Sequence, residues 1–155
     1  VSGGRFRYAL QPVLLTRQWE LDGLLVELGE ANQALAQQRR ELEGLRAASA
    51  AAELEWLRTG QGQQVLSVDR FTLMARYIAD CRAKQGAMEV VVAQAERARD
   101  ELIERITAAR RALDAVEEHR DDMRGRFVRQ RQSGDFKSAD DQWGVMRAGL
   151  ERHGD

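Results

Sequence analysis

LLTRQWELDGLLVELGEANQALAQQRREL, residues 14–42, places leucine at Leu14, Leu21, Leu28, Leu35 and Leu42, five times at a seven-residue interval. A repeat of seven keeps one apolar stripe on the same side of a helix, and such a stripe needs a partner helix to cover it. The same chain supplies one. From Phe71 to Phe127 a second heptad pattern runs, with Met74, Cys81, Met88, Ala95, Leu102, Ala109, Val116 and Met123 at one seam position. Phe71, Ile78, Val92, Ile106, Leu113 and Phe127 fill most of the other. Between the two patterns lies the stretch with the strongest reversal chemistry, which holds Gly60 and Gly62. Two long helices joined by a short turn run antiparallel, because the connection has no length in which to carry the chain back.

The expected fold is therefore all-α: a long two-helix antiparallel coiled-coil hairpin, read as one domain over 1–155. Helix one is expected over about 10–58, the turn over 59–68, helix two over about 69–131 and a tail over 132–155. Pro12, the one proline, falls in the first turn of helix one, where its missing donor is unpaired in any case. Ser67 or Asp69 caps helix two. Past Leu45 the first seam thins to alanines, with Ser49 at a seam position, before Trp56 restores a large side chain. Trp56 with Val65, Leu66, Phe71 and Tyr77 is expected to form an apolar cluster at the turn. Gln85, Arg99 and Arg120 interrupt the second seam and fix register, with Glu30 as the expected partner of Arg99. In the tail, Phe136, Ala139, Trp143, Met146 and Leu150 follow the spacing of one helical face, and Ser138 with Asp141 resembles a capping box. These residues predict a short amphipathic C-terminal helix that folds back, packs on another copy or receives a partner groove.

About a third of the residues are charged and few are aromatic, which suits a narrow buried stripe better than a globular core. The net charge of -1 gives no overall case for nucleic acid or an anionic membrane surface, and no apolar run reaches membrane-spanning length. Cys81 is the only cysteine, so no intrachain disulfide forms, and a reducing cytoplasm is the simplest setting. Local charge says more. Arg120, Arg124, Arg126, Arg129 and Arg131 crowd one stretch, and antiparallel folding brings them beside Arg5, Arg7 and Arg17. The bland account is an exposed helix end whose cations complement the helix C-terminus. The sharper one is a contact surface for an acidic protein.

Phosphate-binding glycine loops, zinc spacings and nucleophile elbows are missing, and no cofactor is expected. His119 and His153 lack ligand-spaced neighbours and read as surface residues. Cys81 reads as a small buried apolar residue. Glu117, Glu118, Asp121 and Asp122 read as a solvated face, since two packed helices offer no cleft to shift a carboxyl pKa. No catalytic or metal site is expected, and the chain is not expected to be an enzyme.

The opening FRYALQPVLLTRQWELDGLLVELGEANQAL resembles the start of the FliJ/YscO/HrpO family of type III secretion stalk proteins. The resemblance falls on Phe6, Tyr8, Leu10, Gln11, Pro12, Val13, Leu14, Arg17 and Leu21. SVDRFTLMARYI, with Phe71 and Tyr77, is similar to the start of the family's second helix, and the acidic-aromatic tail around Asp140, Asp141 and Trp143 is reminiscent of it too. An Ala-rich, Arg-rich, Lys-poor composition suits a plant-pathogen Hrp-type member, with a role in virulence. The resemblance implies a cytoplasmic protein, peripheral at the inner-membrane export apparatus. Its implied partners are the hexameric export ATPase, the export-gate protein and, in some systems, secretion chaperones. On geometric grounds, contacts to the ATPase ring are expected at Arg5, Arg7, Tyr8, Arg17, Arg124, Arg126, Arg129 and Arg131. The alternative is a structural coiled coil that self-associates through seam or tail, or a chaperone-binding adaptor, with no ATPase partner.

Overall fold

A computed structural model describes residues 4–62 and 67–151, with side chains as far as Arg147. Among the described residues there are two helices, α1 (Gln11–Gln61) and α2 (Val68–Glu151), packed against each other, and no strand. The chain divides into two compact units: Val1–Leu21 with Ala108–Asp155, and Asp22–Thr107.

In the Asp22–Thr107 unit the core is the heptad seam. Leu35 and Leu42 of α1 and Val92 of α2 form a buried cluster, with Met88 and Ala95 packed against it. Cys81 and Ile106 are also buried, at the seam positions their spacing predicts. Ser49 is buried as well, and its hydroxyl donates to Glu53 at 3.4 Å, which lets a polar side chain sit in the seam with a partner. Gln38 is less well served: its Oε1 is buried with no hydrogen-bond partner.

A ladder of cross-helix ion pairs flanks this seam. Arg39 pairs with Glu96 at 2.5 Å, Arg46 with Glu89 at 3.2 Å, and Glu53 with Arg82 at 2.6 Å. Each step of seven up α1 is answered by a step of seven down α2, an order compatible with the expected antiparallel hairpin. Arg105 and Glu27 approach at 3.9 Å in the same sense. Arg99 departs from expectation. Instead of reaching Glu30 it pairs with its neighbour Asp100 at 2.7 Å, a carboxylate available without ordering a long side chain across the seam.

Near the turn, Trp56 and Phe71 stack with centroids 4.1 Å apart, tilted by 41°. Tyr77 is exposed, and Val65 and Leu66 lie outside the described residues. Ser67 is the cap: its Oγ accepts from the Arg70 N–H at 3.2 Å. The expected start of the turn needs correction. α1 runs on to Gln61, so Gly60 is helical, and no described glycine has positive φ.

In the Val1–Leu21 with Ala108–Asp155 unit, Leu14 is the most deeply buried side chain, at 1 % exposure. Gln11 opens α1 by donating its N–H to the Tyr8 carbonyl at 3.2 Å, and Pro12 occupies the first turn as predicted. The half-buried positions of α2 in this unit continue the seam through Val116 and Arg120 to Phe127. Beyond Phe127 every side chain through Arg147 is exposed. Here the sequence expectation fails. Helix two does not stop near 131, and no separate short helix forms over the tail; α2 is continuous to Glu151. Ser133, Gly134 and Ser138 are weak breakers, costing a helix under about 1 kcal/mol each, and no proline follows Pro12 to enforce a stop. Ser138 is thus an interior residue and not a cap.

Three outcomes follow from this packing. Leu42→Ala is expected to lower stability by about 2–3 kcal/mol, read from chemical denaturation, since it removes a buried seam side chain that an open two-helix contact can partly collapse around. Arg82→Glu should destabilise by under about 1 kcal/mol, and adding Glu53→Arg should recover most of the loss in a double-mutant cycle. Glu89 is held below the usual carboxylate range, first by the Gln85 amide and then by Arg46. A carboxyl whose folded pKa is depressed adds stability above its unfolded pKa and loses it as pH falls through the folded value. The stability gap between the parent chain and Glu89→Gln should therefore be present near about pH 7 and narrow as pH falls below the usual carboxylate range.

Candidate interaction groove

Residues 4–8 are not helical, and their side chains alternate: Phe6 and Tyr8 are half-buried while Arg5 and Arg7 are exposed. This is the period of an extended segment laid along a surface. The inward pair docks on α2. Phe6 meets Phe127 with ring centroids 5.6 Å apart, and Tyr8 meets His119 at 5.7 Å. The Tyr8 hydroxyl lies 2.9 Å from His119 Nδ1 and 3.3 Å from the Val116 carbonyl oxygen, to which it donates. One phenol thus ties the segment ahead of α1 to a main-chain acceptor and an imidazole on α2. His119, expected to be a plain surface residue, is exposed and also holds Tyr8.

Seating this segment on α2 creates a groove of about 850 Å³. Its lining brings Arg5, Arg120, Arg124 and Arg131 together with Phe6, Tyr8 and Phe127. On α2 these positions recur at helical spacing, so the arginines share one face with the aromatic rung. Arg120 is drawn to Asp121 at 3.3 Å. Among the described residues, Arg5, Arg124 and Arg131 have no carboxylate partner, so three guanidinium groups stand with their charge uncompensated beside aromatic surface. Planar guanidinium favours bidentate carboxylates and aromatic faces.

Of the residues expected at the basic contact, the groove gathers Arg5, Tyr8, Arg124 and Arg131. Arg7, Arg126 and Arg129 are exposed but do not line it, and Arg17 pairs with Glu20 at 3.0 Å on its own helix. Sequence reasoning placed Arg120 in the basic stretch but not among the expected ring contacts, and it did not assign Phe6 or Phe127 to this site. Phe127 was read only as a seam position, and the alternation from Arg5 to Tyr8 is the signal that would have found Phe6.

The tail face is the second surface in this unit. Phe136 and Trp143 are each 75 % exposed and Met146 is 70 % exposed, with Ala139 on the same stripe. Leu150, predicted to extend it, lies outside the residues whose side chains are described, as does His153. No described group of three or more His, Cys, Asp or Glu side chains converges as a metal site, and no described helix is long and apolar enough to cross a membrane.

Compared with models of known protein families, with curated proteins and with solved structures, the chain gives no match in any of the three.

Proposed function

We propose that the protein is a non-enzymatic interaction component of a type III secretion export apparatus, binding the hexameric export ATPase and linking it to the export gate. In this reading it is cytoplasmic and peripheral at the inner membrane, and it also receives secretion chaperones in some systems. The hairpin, a coiled coil with its helices antiparallel, is the form in which it acts. The reading rests on the resemblance of residues 6–35 to the FliJ/YscO/HrpO family. The single structural observation that supports it is the groove of Arg5, Arg124 and Arg131 over Phe6 and Phe127.

The residues of the resemblance have a physical use in that groove. Phe6 and Tyr8 seat the leading segment, Pro12 and Leu14 start α1 in the right place, and the outcome is a set of cations that have no carboxylate partner among the described residues. A surface of that kind suits an acidic lining, where carboxylates meet guanidinium groups already held in position and electrostatics speeds encounter.

The test is titration of the protein into the cognate export ATPase, following hydrolysis rate and oligomeric state. A saturable change is expected near one copy per ATPase hexamer. Arg124→Glu with Arg131→Glu should weaken binding at least roughly tenfold with helix content unchanged by circular dichroism, while Arg76→Glu, an exposed control, should not. No change in rate and no co-migration would leave the self-associating coiled coil or the chaperone adaptor as the better account.

A further inference from the structure

We propose that the arginine–aromatic groove is also the docking site for the tail of a second copy of this chain, whose aromatic stripe and flanking aspartates it complements. The inference does not depend on an ATPase partner. It starts from the seam, which ends at Phe127, and from the tail face of Phe136, Ala139, Trp143 and Met146, which no described residue of its own unit covers.

At about 100° per residue, that tail face is rotated by roughly 140° about the α2 axis from the seam positions Leu113 to Phe127. The segment that covers the seam, residues 4–21, therefore stands on the wrong side to cover the tail. Folding back is closed as well, because α2 is continuous from Val68 to Glu151 and a helix cannot bend onto its own preceding turns without breaking. The groove ends at Arg131, only five residues before Phe136 on the same helix, so a chain cannot insert its own tail there. The groove and the tail can meet only between copies.

The chemistry of the two surfaces matches. Asp135 and Asp140 flank the aromatic stripe on either side, about 60–80° from its centre, and Arg147, which has a partner of its own, lies on the Asp140 side. Across the groove, Arg5, Arg124 and Arg131 are without carboxylates among the described residues. Docking would set Asp135 and Asp140 against guanidinium groups and place Trp143 or Phe136 on Phe127 and on the face of an arginine, contacts favourable both as charge pairs and as cation–π stacks. Burying the tail would remove three large apolar side chains from water, which the chain as a single copy leaves at 70 % exposure or more.

Light scattering after size exclusion, over roughly 5 to 200 µM and at two salt concentrations, reads the proposal without any second protein. The expected mass rises with concentration above the 17.5 kDa of one chain, and the rise weakens at high salt. Arg124→Glu with Arg131→Glu, and separately Asp135→Arg with Asp140→Arg, should each move the association midpoint upward at least roughly tenfold, and a chain carrying all four changes should recover association. Trp143→Ser should weaken association with helix content retained. A mass fixed at one chain over the whole range would overturn the proposal, as would association that neither pair of reversals alters. Loss in both pairs without recovery in the four-fold variant would overturn the pairing as well. Circular dichroism of every variant separates these outcomes from unfolding.

Discussion

The register of the ion-pair ladder is the constraint on which the Asp22–Thr107 unit depends. Leucines seven apart cannot choose a register by themselves, because a slip of one heptad sets the same kind of side chain against the same kind of hole. The charges can. Arg39 and Arg46 lie on α1 with Glu96 and Glu89 on α2, and then the signs exchange at Glu53 and Arg82. A slip in one direction sets Arg46 against Arg82; a slip in the other sets Glu53 against Glu89. Each exposed pair is worth no more than about 1 kcal/mol, so the ladder adds little stability. Its effect lies in the difference between registers, where attraction turns to repulsion. The Trp56–Phe71 stack adds to that difference, since it joins the two helices in one register only.

Much of this was legible in the sequence because hydrophobic burial is periodic and the period is visible. Leu14, Leu35, Leu42 and Ser49 are buried at the seven-residue steps that the first stretch announces, and Cys81, Val92 and Ile106 at those of the second. The cap of helix two was legible to two candidates, Ser67 or Asp69, and the structure uses Ser67. Arg99 was not, because pattern shows which face a long side chain leaves from and not which carboxylate it takes. The end of helix two was misread for a reason of magnitude. Ser133, Gly134 and Ser138 have the chemistry of a break, but their summed propensity cost is small beside the cooperativity of an established helix, and a capping box acts only where a helix begins.

The groove was half legible. A crowd of arginines and an antiparallel layout were enough to bring Arg5 towards Arg124 and Arg131. What the pattern did not reveal is that the chain ahead of Pro12 extends the seam without being helical. Phe6 answers Phe127, the last apolar seam rung, from an extended segment. Tyr8 hydrogen-bonds the Val116 carbonyl oxygen, and its alternate neighbours Arg5 and Arg7 are left outward. Heptad reasoning stops where helix stops, and so it counted Tyr8 as a contact for a partner and missed its hold on α2.

Continuity of α2 then gives the tail its character. From Val128 to Arg147 the helix has no packed seam beneath it among the described residues, and an isolated segment of that length, with Gly134 and Gly144 inside it, would be only marginally helical in water. It needs no nucleus of its own because it is a propagation of the seam-bound helix before it. Helical order in the tail is therefore tied to the last seam rung: loosening Phe6 and Tyr8 from α2 removes the support next to Phe127 and frees the tail to fray. The same two aromatic side chains that shape the groove also sustain the helix on which the aromatic stripe is displayed, so the two complementary surfaces form and fail together.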